Sequence, residues 1–184
     1  MVSISAILSP SKLQRIAQSV FAALLLASAA NHAVAARAGL CTDSVAVFEC
    51  EASGGKQIAL CGAYNPAGEL TALQYRYGRG PRPELIYPAE LSGSLVKFTS
   101  NHYLRYQTDY SQISFRNGPY AYSVYSNYDG EESPGSPKTA GVTVVTQAGA
   151  PVADISCKTI RKDAIQSITS KVTCDADQAL GCSQ

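Results

Sequence analysis

Six cysteines carry most of the reactive chemistry of this 184-residue chain: Cys41, Cys50, Cys61, Cys157, Cys174 and Cys182. Thiolates ligate zinc, cycle through redox chemistry or join as disulfides, and spacing separates these roles. No Cys-x-x-Cys pair occurs, and His32 lies in an N-terminal leader, which leaves His102 as the one histidine beyond it. Neither a zinc site nor a dithiol redox motif is therefore expected. Three cysteines cluster near the front and three at the back, with a long cysteine-free stretch between. An even count in an exported chain reads as a disulfide framework.

Nucleophilic catalysis needs a base beside its nucleophile. His102, in Asn101-His102-Tyr103, stands in no Ser-His-Asp pattern and reads as a solvated histidine at a strand end. No Gly-x-Ser-x-Gly elbow, phosphate-binding glycine loop, EF-hand loop or His-Glu-x-x-His helix is present. Glycoside hydrolysis needs two carboxylates brought together in space. Glu131-Glu132 lies in a Pro/Gly-rich stretch and reads as a solubilising pair. The expectation is a protein without catalysis, cofactor or metal.

Recognition chemistry is better represented. Tyrosine numbers 11 and tryptophan is absent. Tyr103, Tyr106, Tyr110, Tyr120, Tyr122, Tyr125 and Tyr128 crowd one region. Such rings stack on sugars, anchor a protein partner or simply fill a half-buried sheet face. Arg76, Arg79 and Arg82 flank a Gly/Pro turn, where guanidinium groups fork onto carboxylates, stack on rings or keep a hairpin tip soluble. Arg76, Arg79, Arg82, Tyr120 and Tyr122 form the candidate binding surface.

The elements that must position these residues are strands. Thr71, Leu73, Tyr75 and Tyr77 alternate with Ala72, Gln74 and Arg76; Tyr120, Tyr122 and Val124 alternate with Ala121, Ser123 and Tyr125; Val142, Val144 and Thr146 alternate with Thr143, Val145 and Gln147. Period-two patterning rich in Tyr, Val, Ile and Thr is the strand signature. Asn65-Pro66, Asn117-Gly118-Pro119, Asp129-Gly130 and Gln147 to Pro151 supply turns, and Asp129 to Gly141 reads as a surface loop. The main helical candidate is Arg161 to Ser170, two to three turns at most, with a further single turn at Asp177 to Gly181. The expected fold is all-β, an antiparallel β-barrel or β-sandwich of about ten short strands with a short C-terminal helical segment.

Residues 1–35 read as a cleaved export signal: positive Lys12 and Arg15, an apolar run from Val20 to Ala30, then Ala33-Val34-Ala35 before cleavage after Ala35 or Ala36. That run is shorter than the roughly 20 residues of a membrane-spanning helix, and no other stretch reaches that length. Leu40 precedes Cys41 where a lipoprotein signal places Gly or Ala, so no lipid anchor is expected. Residues 36–184 then make one disulfide-stabilised β domain, large enough to bury a core. Without Lys12 and Arg15 it carries 13 basic against 14 acidic residues. That balance argues against nucleic acid or an anionic membrane as its main partner.

One cysteine pair is locally favoured. Phe48 to Cys61 reads as strand, Gly54-Gly55 turn, strand, and a loop centred between Gly55 and Lys56 sets Cys50 opposite Cys61. The other four can close the termini, Cys41 to Cys182 with Cys157 to Cys174 being one arrangement.

The cysteine-bounded piece ending Gly55-Lys56-Gln57-Ile58-Ala59-Leu60-Cys61, with Tyr75-Arg76-Tyr77-Gly78, Pro83-Glu84-Leu85-Ile86-Tyr87-Pro88 and the tail from Cys174 to Cys182, resembles a group of small exported bacterial proteins. The resemblance covers most of the mature chain and implies shared structural pieces without assigning an activity. A second similarity is to periplasmic inhibitors of lysozyme, small disulfide-bonded β-barrels that insert a Ser-Gly-x-x-Tyr loop into a carboxylate-lined cleft. Ser92-Gly93-Ser94-Leu95-Val96 begins that pattern, with Val96 in the tyrosine's place and Lys97 or Arg105 as the basic residue that would aid the inhibitor. This resemblance adds Ser92 and Gly93 to the candidate surface. The chain is expected to be a non-catalytic, periplasmic or extracellular binding protein for a protein or glycan partner in the cell envelope. The alternatives are inhibition of a cell-wall hydrolase and, behind it, a glycan-active hydrolase.

Overall fold

The computed structural model describes residues 39–131 and 138–183; the export signal with its cleavage positions and Glu132 lie outside the described residues. Ten strands follow in order: β1 (Val45–Ala52), β2 (Gln57–Tyr64), β3 (Leu70–Arg79), β4 (Arg82–Tyr87), β5 (Phe98–Arg105), β6 (Thr108–Asn117), β7 (Tyr120–Asp129), β8 (Thr139–Thr146), β9 (Pro151–Asp163) and β10 (Thr173–Cys174). A short helix, α1 (Ile165–Thr169), lies between the last two. The all-β expectation with a short C-terminal helical segment is met. The strands form one sheet in the order β10-β5-β6-β7-β8-β9-β1-β2-β3-β4, antiparallel throughout except for the parallel β10–β5 pair.

Side-chain alternation explains how the sheet curls. Phe48 and Cys50 of β1, Ile58 and Leu60 of β2, Leu73 and Tyr75 of β3, and Ile113 and Phe115 of β6 all point to one buried face, joined by Val124, Val142 and the helix residues Ile165 and Ile168. The thirteen-residue β9 pairs with β8 through its first half and with β1 through its second, with register shifts on both sides. Such irregularities bend a strand and increase its twist. The two ends of the sheet then meet through rings. Tyr87 of β4 stacks on Phe115 at 4.6 Å between centroids and sits edge-on to Phe98 of β5 at 5.9 Å. The result is a curled half-barrel with β4 and β10 at its ends and aromatic packing across the gap.

The cysteine pairing differs from the expected one. The bonds are Cys41–Cys61, Cys50–Cys157 and Cys174–Cys182. The Cys50–Cys61 clasp is not made, because the β1–β2 turn is centred earlier in the chain than predicted. Gly54 and Gly55 both adopt positive φ, at 70° and 72°, and Ala52 N–H donates to Lys56 C=O at 2.8 Å. The turn is therefore centred on Gly54, which sets Cys50 against Ile58 and Cys61 against Ala46. Cys50 enters the main core, whereas Cys61 packs on the other face with Leu40 and Ala59. Two cysteines on opposite faces of a sheet cannot join. Nor do Cys41–Cys182 and Cys157–Cys174 form; the tail closes on itself.

The helix is also shorter than expected. Arg161, Lys162 and Asp163 belong to β9, with Lys162 opposite Glu49 and Asp163 opposite Phe48. Arg161 donates to Glu51 at 2.9 Å, and Asp163 accepts the Ile165 N–H at 3.3 Å at the start of the helix. The Asp177 to Gly181 segment forms turns and no helix.

Asp163 is a structural hub, 2.6 Å from both Lys138 Nζ and the Ser126 hydroxyl. Burial favours its protonated form, but the Lys138 and Ser126 contacts and the Ile165 N–H outweigh that and hold its pKa below the ordinary 3.8. A carboxyl whose pKa is depressed by folding contributes stability that is present above the unfolded value and lost as pH falls through the folded one. Asp163→Asn is expected to cost about 1–3 kcal/mol at pH 7. The difference from wild type should shrink below pH about 4. Urea midpoints measured between pH 2 and pH 7 check this, and a pH-independent difference would contradict it.

Candidate functional site

The residues expected to form a binding surface occupy separate parts of the fold. Arg76 is buried: Nε donates to Gln74 Oε1, Nη1 to the Leu40 carbonyl and Nη2 to Asp43, each at 2.7 Å. The hydrogen bond from Arg76 holds the Asp43 carboxyl below its ordinary range. Arg76 thus fastens the N-terminal segment across the outer side of β2 and β3, and burial removes it from the candidate surface. Arg79 and Arg82 face each other at the exposed β3–β4 tip. Ser92 and Gly93 are exposed in the β4–β5 connection; the next residue, Ser94, is buried and accepts the Leu73 N–H at 2.9 Å. Tyr120 is partly exposed at the end of β7, while Tyr122 stacks on Phe115 at 4.8 Å and belongs to the aromatic core.

His102 is not a solvated strand-end residue. It is buried, with Nδ1 3.0 Å from the Ser183 carbonyl and Nε2 3.2 Å from Asp109. The nearby Ser111 hydroxyl donates to Asp109 at 3.0 Å. That serine is committed to the carboxylate, so the base-to-hydroxyl contact of nucleophilic catalysis is not made here.

The tail is built around this strand. Cys174 and Cys182 close a loop eight residues apart in sequence. Asn101 reaches into it, donating to the carbonyls of Asp175 at 2.7 Å and Gly181 at 3.0 Å. The backbone continues the tie, with Asp175 N–H to Ser100 C=O at 3.1 Å and Ser183 N–H to His102 C=O at 2.7 Å. Because Asn101 points away from the core face, this loop is held against the outer face of β5 and β6.

That outer face is where polar side chains converge. Register places Thr99, Ser114, Ser123 and Thr143 in one row across β5 to β8. The next row is Asn101, Gln112, Tyr125 and Gly141, followed by Tyr103, Tyr110, Asn127 and Thr139. Gln112 donates to Ser114 at 2.8 Å and Ser123 at 3.2 Å, and the two serine hydroxyls lie 3.0 Å apart. Gln178 of the tail loop borders a cleft on each side. One, of about 460 Å³, reaches Lys97, Arg116 and Asp175. The other, of about 680 Å³, runs over Tyr110, Gln112, Tyr125, Asn127 and Thr143. Both volumes fall in the range of ligand sites, roughly 300–1,000 Å³.

The sequence alternation in β6, β7 and β8 exposes these polar positions, yet their grouping depends on register between strands, which alternation does not give. The fold and the site together define a disulfide-bonded, all-β protein with a polar groove beside a C-terminal loop. No protein-family model, curated protein or solved structure matches the chain. No helix among the described residues is long and apolar enough to cross a membrane.

Proposed function

We propose that this is an exported, non-catalytic binding protein that acts in the periplasm or outside the cell, and that it binds through the outer face of β5 to β8 beside the tail loop. The observation that carries the reading is the set of three hydroxyl- and amide-bearing rows, flanked by two clefts and bordered by a disulfide-closed loop. Polar groups held on a rigid sheet provide directional recognition at little ordering cost. Three disulfides, with no free cysteine among the described residues, support an oxidising compartment. The exported protein should begin at Ala36 or Arg37, which N-terminal sequencing reads directly.

Immobilised protein challenged with an envelope extract, separated into protein and glycan fractions, tests the site. Thr143→Arg places a long cation across the groove on a strand face that stays half-exposed. Retention of a component by wild type and its loss with Thr143→Arg, at unchanged melting temperature, is the expected result. Equal retention by both forms would place binding elsewhere, and no retention would end the proposal.

A further inference from the structure

The groove on the Tyr125 side has a lining that specifies a ligand class. Its walls hold two tyrosines, two side-chain amides from the strands, hydroxyls from three strand residues, and Gln178, Ala179 and Leu180 of the tail loop. None of these is an acidic or a basic side chain. The Asp129 carboxylate borders this lining, accepting from the Tyr110 hydroxyl at 2.5 Å. No basic side chain among the described residues lines the groove, so phosphates and carboxylates would lose hydration there without a countercharge.

Tyr125 has an unusual seat. It lies directly opposite Gly141, and a Cβ built on Gly141 would sit 2.8 Å from the Tyr125 hydroxyl and 2.4 Å from the Ile155 carbonyl. The tyrosine ring therefore reaches across the neighbouring strand instead of standing up from the sheet. Glycine at this position is what lets the ring lie down. The product is an aromatic platform in the floor of the groove, with Gln112 and Asn127 of the adjoining positions beside it. A ring that offers its face stacks on the C–H side of a pyranose, while amides and hydroxyls around it pair with sugar hydroxyls as both donors and acceptors.

We infer that this groove binds an uncharged saccharide chain, with Tyr125 as the stacking platform. The inference rests on the proposed binding role and names its ligand. The groove is open, so it suits an oligosaccharide lying along it.

The absence of tryptophan from the sequence makes tyrosine fluorescence a direct readout. Hexasaccharides of glucose and of N-acetylglucosamine serve as neutral probes, and polygalacturonate as the charged one. At least one neutral probe is expected to bind with a dissociation constant below about 1 mM. Tyr125→Ala should weaken it at least tenfold and Tyr125→Phe less than about threefold, with melting temperatures confirming that both variants fold. Failure of both neutral probes overturns the inference, as does preference for polygalacturonate or wild-type affinity in folded Tyr125→Ala. If an extract protein is retained and lost with Thr143→Arg while no saccharide binds, the face survives as a binding site and the saccharide assignment alone fails.

Discussion

Replacing Cys50 and Cys157 together by alanine is expected to destabilise the protein by about 4.8 kcal/mol, the largest loss among the three disulfides. The bond joins residues 107 apart in sequence, against 20 for Cys41–Cys61 and 8 for Cys174–Cys182. Cross-linking restricts the unfolded chain in proportion to the logarithm of the loop it closes, which gives about 3.3 and 2.5 kcal/mol for the shorter two. Location widens the gap. Cys50 is fully buried in the main core, so its removal also leaves a small cavity, whereas the tail bond lies outside that core. Unfolding in urea of the three double-alanine proteins should rank them in this order. A tail variant that loses most would show that local constraint outweighs loop length. Non-reducing peptide mapping gives the companion result, a Cys50 peptide joined to a Cys157 peptide and none joining Cys50 to Cys61.

The same bond shows where sequence reading reached its limit. Strand alternation in Phe48 to Cys50 and Ile58 to Cys61 is plain from residue types, and so is the intervening Gly54-Gly55 turn. Which residue centres that turn depends on backbone dihedrals, and the positive φ of both glycines moved the register enough to separate Cys50 from Cys61 by a sheet's thickness. Arg76 carries a parallel lesson. Beside Arg79 and Arg82 in sequence it reads as part of a charged tip, but alternation turns it toward Gln74 and the N-terminal segment, while the other two remain at the turn. Ile160, Ala164, Ile165 and Ile168 fit a helical period that predicts a longer helix, but pairing with β1 overrides that local preference through Asp163. The ten-strand, all-β frame needed no such long-range information. The polar groove did, since its lining draws one or two residues from each of the four strands β6 to β9.

Phe115→Ala is expected to cost about 3–5 kcal/mol, against a total stability of roughly 5–15 kcal/mol for a typical domain. The side chain is almost wholly buried and meets four other rings: Tyr75 at 5.0 Å, Tyr87 at 4.6 Å, Phe98 at 5.5 Å and Tyr122 at 4.8 Å. These rings come from β3, β4, β5 and β7, the two ends of the hydrogen-bonded order, so Phe115 bridges the parts of the sheet that backbone ladders do not connect. Burial around this cluster also pushes the Tyr75 hydroxyl's pKa well above the ordinary tyrosine range. Alanine removes the shared partner, and the cost should be cooperative. In a double-mutant cycle, Phe115→Ala with Tyr87→Ala should lose less than the sum of the singles by about 0.5–1.5 kcal/mol. Amide exchange should accelerate most in β4, which ends the sheet with β3 as its ladder partner and loses its stacked neighbour. The groove over Tyr125 lies on the opposite face of β6 and β7 and keeps its floor. Folded Phe115→Ala is therefore expected to bind the neutral saccharide probe within about threefold of wild type, a margin below 1 kcal/mol. Loss of binding in step with stability would mean that the curled shape itself, and not the outer rows of side chains, forms the site.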